Sequence, residues 1–385
     1  MKATAIPAVL LRASLSIAVV AACASPRAAE ASEARPRAGE LGLRIGEFTP
    51  GKWNAITDVE GVLVGHATIM EGTGVRTGVT VVLPHPGDIF QEKVPAAIAV
   101  GNGFGKLVGI TQVRELGVIE TPIALTNTLS AFTAATALVR HTLSAPGNEE
   151  VRSVNPVVGE CNDGWLNDIR GFHVTEKDVL DAIKVASTGP VDEGSVGAGT
   201  GTQCLGFKGG IGTSSRLVKL GEITYTVGVL VQTNYGGSLV MAGVPVGSIL
   251  RENEERAGEG GSCMVVVATD APLSSRALER LARRSFLGLA RTGSVMSHGS
   301  GDYAIALSTA YRISDDEEDP VFELELLRDD RLTALFAALV DATEEAVYNS
   351  ILKAVTVAGR DGHEVEALPI GRVESILRDR GVLKE

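Results

Sequence analysis

The chain has 385 residues, of which 21% are charged and 4% aromatic, and its formal net charge is -12. That length can bury one large or two medium cores, and the acidic balance excludes the basic footprint with which proteins neutralise phosphates, so nucleic acid is not an expected partner. Glycine occurs 45 times beside few aromatics, which predicts a core of Ala, Val, Leu and Ile with closely approaching backbones, as in a layered α/β protein.

The first residues read as an address rather than a fold. Lys2 and Arg12 accompany the small apolar run from Ala13 to Ala24, too short to span a bilayer as a mature helix, and residues 1–24 therefore read as a secretory signal. Val20-Ala21-Ala22-Cys23 also fits a lipoprotein box, in which a lipid on Cys23 would anchor the protein, whereas Ala22-Cys23-Ala24 fits an ordinary cleavage site. Either way the expected destination is the periplasm. Residues 25–40, rich in Pro, Ala, Glu and Arg, read as a disordered tether.

Strands and helices then alternate. Ile56 to Ile69, Val79 to Leu83 and Ala96 to Val100 predict successive strands. The spacing of Phe132, Ala135, Ala137 and Leu138 predicts a helix over residues 130–142. Thr175 can cap a second helix, whose apolar face is Val179, Leu180, Ile183 and Val185. Thr224 to Gln232 and Met264 to Ala268 are continuous apolar runs, the pattern of strands covered on both faces. Residues 274–292 and 332–358 predict long amphipathic helices. Strands with helices on both sides imply a sandwich, either of four layers, α/β/β/α, or of three around a parallel sheet.

The glycine cluster Gly197-Ala198-Gly199-Thr200-Gly201, followed by Lys208-Gly209-Gly210, invites a phosphate-loop reading. It has no G-K-[ST] at the required spacing and does not run from strand to helix, so a tight hairpin, or a wall for a neighbouring backbone, is expected. Cys161, Cys204 and Cys263 follow the signal without C-x-x-C spacing, and the six histidines form no H-E-x-x-H cluster. The cysteines read as small buried residues, and neither metal nor cofactor is expected.

Four short segments carry chemistry. Gly159-Glu160-Cys161-Asn162-Asp163-Gly164, Val231-Gln232-Thr233-Asn234-Tyr235-Gly236 and His298-Gly299-Ser300-Gly301-Asp302 each put a polar or acidic side chain in a Gly-bearing turn at the end of an apolar run. Gly261-Ser262 puts a serine where a glycine-rich acidic stretch becomes an apolar strand. Each alone is an ordinary turn or cap. Together they hold a nucleophile, an oxyanion donor and two carboxylates.

The segments IGEFTPGKWNAITDVEGVLVGHATI (45–69), GNGFGK (101–106), ETPIALTNTLS (120–130), GAGTGTQCLGFKGGIGTSSR (197–216), VLVQTNYGG (229–237), GSCMVVVATDAPL (261–273) and GSGDYAIALSTA (299–310) resemble the DmpA-type family over roughly residues 41–370. Its members are L-aminopeptidases/D-esterases and β-peptidyl aminopeptidases, self-processing serine N-terminal-nucleophile hydrolases.

The resemblance implies a four-layer αββα sandwich and a precursor that cuts itself between Gly261 and Ser262, leaving residues 41–261 and 262–385 as associated chains. Cleavage would supply Ser262 with its own general base, since an α-amine titrates at roughly 7.7–8.0. By the same resemblance Asn234 would donate to the oxyanion, Ser300 and Asp302 would orient the nucleophile and its amine, and Glu160 and Asn162 would bind substrate, Glu160 by holding its free amine. Two positions depart from the pattern: Asp302 is shorter than the Glu of many members, and Asn162 replaces the founding aminopeptidase's Tyr.

The implied partners are small peptides, amides or esters, and further copies of the cleaved pair, commonly as a tetramer of pairs. Two alternatives stand beside this reading. One is an acyltransferase of the ornithine-acetyltransferase type, with a threonine nucleophile; the other is a non-catalytic envelope binding protein on the same scaffold.

Overall fold

The structure, a computed structural model, describes residues 1–2, 35–250, 257–314, 321 and 323–384, with the backbone alone at 257–260. The expected signal, the lipoprotein cysteine Cys23 and most of the expected tether lie outside the described residues. The tether's expected end is different. Arg35 donates from Nε to the Leu352 carbonyl and from Nη2 to that of Leu368, both at 2.7 Å, and Ala38 is buried. Residues 35–40 thus belong to the folded body, because two arginine side chains, Arg35 and Arg37, hydrogen-bond it.

In chain order the strands are Leu63–Glu71 (β1), Val75–Leu83 (β2), Glu92–Gly103 (β3), Leu107–Val108 (β4), Val118–Ile119 (β5), Ile123–Asn127 (β6), Val157–Cys161 (β7), Gln203–Cys204 (β8), Phe207–Lys208 (β9), Ile211–Leu220 (β10), Ile223–Gly237 (β11), Ala257–Thr269 (β12), Ser300–Ser308 (β13) and Ile313–Ser314 (β14). The helices are Ile110–Leu116 (α1), Ala131–Leu143 (α2), Glu176–Val185 (α3), Val246–Leu250 (α4), Ser275–Arg291 (α5), Leu332–Leu352 (α6) and Ile370–Asp379 (α7).

Two sheets form the centre. One runs β1-β2-β6-β7-β4; the other runs β10-β11-β12-β13-β3-β14, with β5 also on β3. Between them lies an apolar layer that includes Val82, Ile98, Leu125, Leu230, Val266 and Ile305. The outer face of the first sheet buries Val79, Val81 and Val158 against α2 and α3. The outer face of the second buries Val229, Val265 and Ala304 against α5 and α6. Alternate residues of one strand therefore enter different cores, which is why β11 and β12 read as unbroken apolar runs. The order of layers is the expected α/β/β/α.

Two elements depart from expectation. Ile56–Asp58 is a 3-10 turn and not the start of a strand: the Asp58 carboxylate accepts from Trp53 N at 2.8 Å, Ala55 N at 3.1 Å and the Ser215 hydroxyl at 2.6 Å, and these bonds outweigh β propensity. The helix expected over residues 332–358, α6, stops at Leu352, and Val357–Ala358 pairs instead with Glu364–Val365. The glycine cluster forms a 3-10 turn at Gly197–Gly199 and the tight hairpin β8-β9.

Candidate active site

Strand register brings the dispersed segments together. In the antiparallel pair β11-β12, Asn234 stands opposite Ser262 and Tyr235 opposite Gly261. In the parallel pair β12-β13, joined by the α5 crossover, Gly261 faces Ser300, Ser262 faces Gly301 and Cys263 faces Asp302. Ser262 thus lies between the strand carrying Asn234 and the strand carrying Ser300 and Asp302.

Gly261 has φ +137°, and a Cβ built there would sit 2.2 Å from the Asn234 carbonyl oxygen. Only glycine tolerates both the conformation and the approach. The peptide before Ser262 is therefore bent where two strands close on it, within a run that otherwise continues as regular strand.

Alternation distributes the side chains. Ser262 shares the inter-sheet face with Met264 and Val266, whereas Ser300 and Asp302 share the helix-facing side with Ala304 and Cys263. The two groups flank the Gly261–Cys263 backbone from opposite faces. On the inter-sheet side the Ser262 hydroxyl faces the thiol of Cys161, which burial pushes well above the ordinary range.

All of these polar groups are buried. The Ser262 and Ser300 hydroxyls and both Asp302 carboxylate oxygens meet no hydrogen-bond partner among the described residues. Burial pushes the Asp302 carboxyl up to about 6, while the nearby Ser300 hydroxyl and Cys263 amide favour its charge without reaching hydrogen-bond geometry. An unsatisfied buried polar group costs about 1–3 kcal/mol, so such a cluster calls for a functional explanation.

Asn234 is held at both ends of its carboxamide. Its Oδ1 accepts from the Gln203 amide at 3.1 Å, and its Nδ2 donates to the Asn162 carbonyl at 3.0 Å, which fixes the orientation. One Nδ2 hydrogen is left to donate elsewhere. Asn162 meets the site through its backbone; its exposed side chain turns back to accept from Gly164 N at 2.9 Å.

Glu160, at the end of β7, is buried and accepts from Lys106 N at 2.8 Å and from the Thr128 hydroxyl. The Lys106 ammonium stands 4.0 Å away. Gly105 lies between Glu160 and Gly301: a Cβ there would be 3.1 Å from Glu160 Oε1 and 3.2 Å from Gly301 Cα. Gly301 is the register partner of Ser262, so Glu160 lies one close backbone contact from the strand beside the serine.

Sequence reasoning missed the supporting residues. Asn102 donates from Nδ2 to the carbonyls of Ser297 and His298, both at 3.1 Å, and of Ser300, bracing the turn before Asp302. Tyr303 donates to the Gly105 carbonyl at 2.7 Å. Asn102 and Gly105 both fall within the GNGFGK segment, and that was the available signal. Cys161 is buried as expected, but Lys208 gave no signal, because a lysine in sequence does not announce that it is buried.

The sequence pattern of peptidase family S58 matches residues 54–365. A β-peptidyl aminopeptidase, BapA, from Sphingosinicella microcystinivorans is 40% identical over 91% of this chain and 94% of its own. Among solved structures, a Burkholderia sp. β-aminopeptidase superposes with a TM-score of 0.85 at 42% identity, covering 91% of this chain and all of that one. The L-aminopeptidase D-Ala-esterase/amidase of Ochrobactrum anthropi, described as a prototype of the serine aminopeptidases and a variant of the Ntn-hydrolase fold, gives a TM-score of 0.85 at 38% identity over the same shares.

Proposed function

Because the chain belongs to peptidase family S58 and is a serine N-terminal-nucleophile aminopeptidase, we propose that it cuts itself between Gly261 and Ser262 and then uses Ser262 to hydrolyse the amide bond after an N-terminal residue. The observation that carries this reading is the set of orphaned buried groups around one strained peptide. Ser262 Oγ, Ser300 Oγ and both oxygens of Asp302 wait without partners on either side of Gly261–Ser262.

In the cut, the Ser262 hydroxyl attacks the Gly261 carbonyl carbon. The C–N bond breaks as the nitrogen takes a proton, leaving the Gly261 acyl group on the serine oxygen. Water hydrolyses that ester, freeing the Gly261 carboxylate and the Ser262 hydroxyl, and leaves the α-amine formed in the previous step at the new N-terminus. The positive φ at Gly261 takes the backbone out of the regular strand path at this bond. The free N–H of Asn234 stabilises the oxyanion in both self-cleavage and turnover.

The new amine supplies N–H donors beside Ser300 and Asp302, so the orphaned groups acquire the charge partner that the uncut chain does not offer. As general base it takes the hydroxyl proton when Ser262 attacks a substrate carbonyl, and returns it to the leaving amine. Glu160 pairs with the substrate's own amine, and that pairing restricts the enzyme to free N-termini.

The substrates are short peptides or amides with a free amine, β-aminoacyl ones first, on the strength of the Sphingosinicella and Burkholderia relatives. Hydrolysis, and not transfer to ornithine, follows from membership of a peptidase family. Export under residues 1–24, with or without a lipid on Cys23, and assembly as a tetramer of cleaved pairs complete the reading; the first rests on sequence and the second on resemblance. The test compares p-nitroanilides of β-homoamino acids, L-α-amino acids and D-α-amino acids, each with the amine free or acetylated. Release from acetylated substrates as fast as from free ones would remove Glu160's role, and faster turnover of α- than β-aminoacyl substrates would overturn the preference.

A further inference from the structure

The glycine-rich segment 197–212 takes no part in the chemistry above, yet it ends on a buried lysine that touches the support of Asn234. Lys208 is fully buried, and its ammonium donates to the Gly199 carbonyl at 2.8 Å and the Gly209 carbonyl at 2.9 Å. Those bonds draw the turn before β8 onto the strand after it. The Thr202 hydroxyl donates to the same Gly199 carbonyl at 3.1 Å, and Gly209 N donates to the Thr202 carbonyl at 3.3 Å. The next residue is Gln203, whose amide holds Asn234 Oδ1.

The second support of Asn234 is the Asn162 carbonyl, and the residue after it is Asp163, also buried. Asp163 Oδ1 accepts from Asn167 Nδ2 at 3.0 Å, and its carbonyl accepts from the amides of Leu166 and Asn167. The two supports meet at Gly201, where a Cβ would lie 2.9 Å from Asp163 Cβ. Lys208 and Asp163 also act on each other as opposite charges. Burial lowers the lysine to about 7 and Asp163 raises it; burial raises the aspartate to about 7, and Thr77, Asn167 and, less strongly, Lys208 lower it.

Burying a cation is costly, and an apolar side chain of similar volume commonly serves stability as well or better. The position of this one suggests another use. We propose that Lys208, together with Asp163, positions the oxyanion donor: Lys208 closes the loop that holds Asn234 Oδ1, Asp163 braces the loop that holds its Nδ2, and so the direction of the free N–H is fixed. The inference rests on the role given to Asn234 above. It extends that role to a polar pair that never touches substrate.

The test is a double-mutant cycle. Lys208→Met, Asn234→Ala and the double variant are compared for the rate of self-cleavage, followed by intact mass, and for kcat and KM on an aminoacyl p-nitroanilide. Wild type and Ser262→Ala run beside them. Lys208→Met is expected to lower cleavage rate and kcat about 10- to 100-fold, part of the 10²–10³ that loss of an oxyanion donor costs, with KM within about twofold. In the Asn234→Ala background the same substitution should change the rate less than about twofold, because there is no donor left to aim.

Losses that multiply in the double variant, or a change confined to KM, would show a merely structural lysine and overturn the proposal. If Lys208→Met does not accumulate as folded protein, Thr202→Val loosens the same turn without disturbing a buried charge and must show the same non-additivity. A wild-type chain that stays whole and inert would overturn the functional reading itself. A cutting, active wild type with multiplicative losses overturns this inference alone.

Discussion

Glu193 and Asp302 are both buried carboxylates raised far above the ordinary range, Glu193 to about 7 and Asp302 to about 6, with burial the first cause in each. Their partners differ. Glu193 lies 2.7 Å from Arg37 Nε and accepts from Thr213 N at 2.8 Å, whereas neither oxygen of Asp302 meets a hydrogen-bond donor. A displaced titration therefore does not by itself mark a functional carboxylate in this fold; the two are told apart by their partners. Glu193 fastens the N-terminal segment to the body, and Asp302 stands beside the peptide proposed to be cut.

The largest effect expected on the Asp302 side comes from Ser262→Ala, which should leave the chain whole and reduce turnover by at least about 10⁴-fold, as loss of a nucleophile does in serine hydrolases. Next, Asn234→Ala should slow both self-cleavage and turnover by about 10²–10³. On the Glu193 side, Arg37→Met leaves a buried charge unpaired. It should lower the unfolding free energy by about 3 kcal/mol in a urea titration while kcat per folded molecule stays unchanged. A fall in kcat there would erase the distinction between the two regions.

The last effect concerns the titration of Asp302 itself. In the uncut Ser262→Ala protein, Asp302→Asn should stabilise at pH 8 by about 3 kcal/mol, because it removes a charge that folding buries without a partner. The folded carboxyl titrates near 6 and the unfolded one near 4. The folded state thus keeps its proton through that interval, and stability is lost as pH rises from about 4 to 6. The gain from Asp302→Asn should accordingly be full above pH 6 and absent below pH 4. Destabilisation by Asp302→Asn in the uncut chain would mean that its carboxylate is already satisfied.

The covered strands were legible because the apolar runs Thr224–Gln232 and Met264–Ala268 carry the pattern of strands buried on both faces, as the structure has them; that they make four layers and not three came from the family resemblance. The site segments were legible as glycine-bearing turns, and their order along the chain matched a family. Register was not. That Asn234 stands opposite Ser262, or that Gly105 separates Glu160 from Gly301, depends on pairings between strands far apart in sequence.

Ile56–Asp58 misled for a related reason, since its fold is decided by the Ser215 hydroxyl and the Thr213 hydroxyl, which accepts from Ile56 N at 2.8 Å, far along the chain. Arg35 and Arg37 looked like solvated linker residues because composition cannot show that backbone carbonyls await a guanidinium. Lys208 was hidden in the same way: its sequence neighbours suggested a loop, while its interest lies in being buried among carbonyls.

The most direct measurement is the intact mass of the purified wild-type chain beside that of Ser262→Ala, after incubation long enough for slow processing. The account predicts two polypeptides from the wild type, the smaller beginning at Ser262, and one uncut polypeptide from the variant. A wild-type chain that remains single, or a variant that is cut at the same bond, would contradict it.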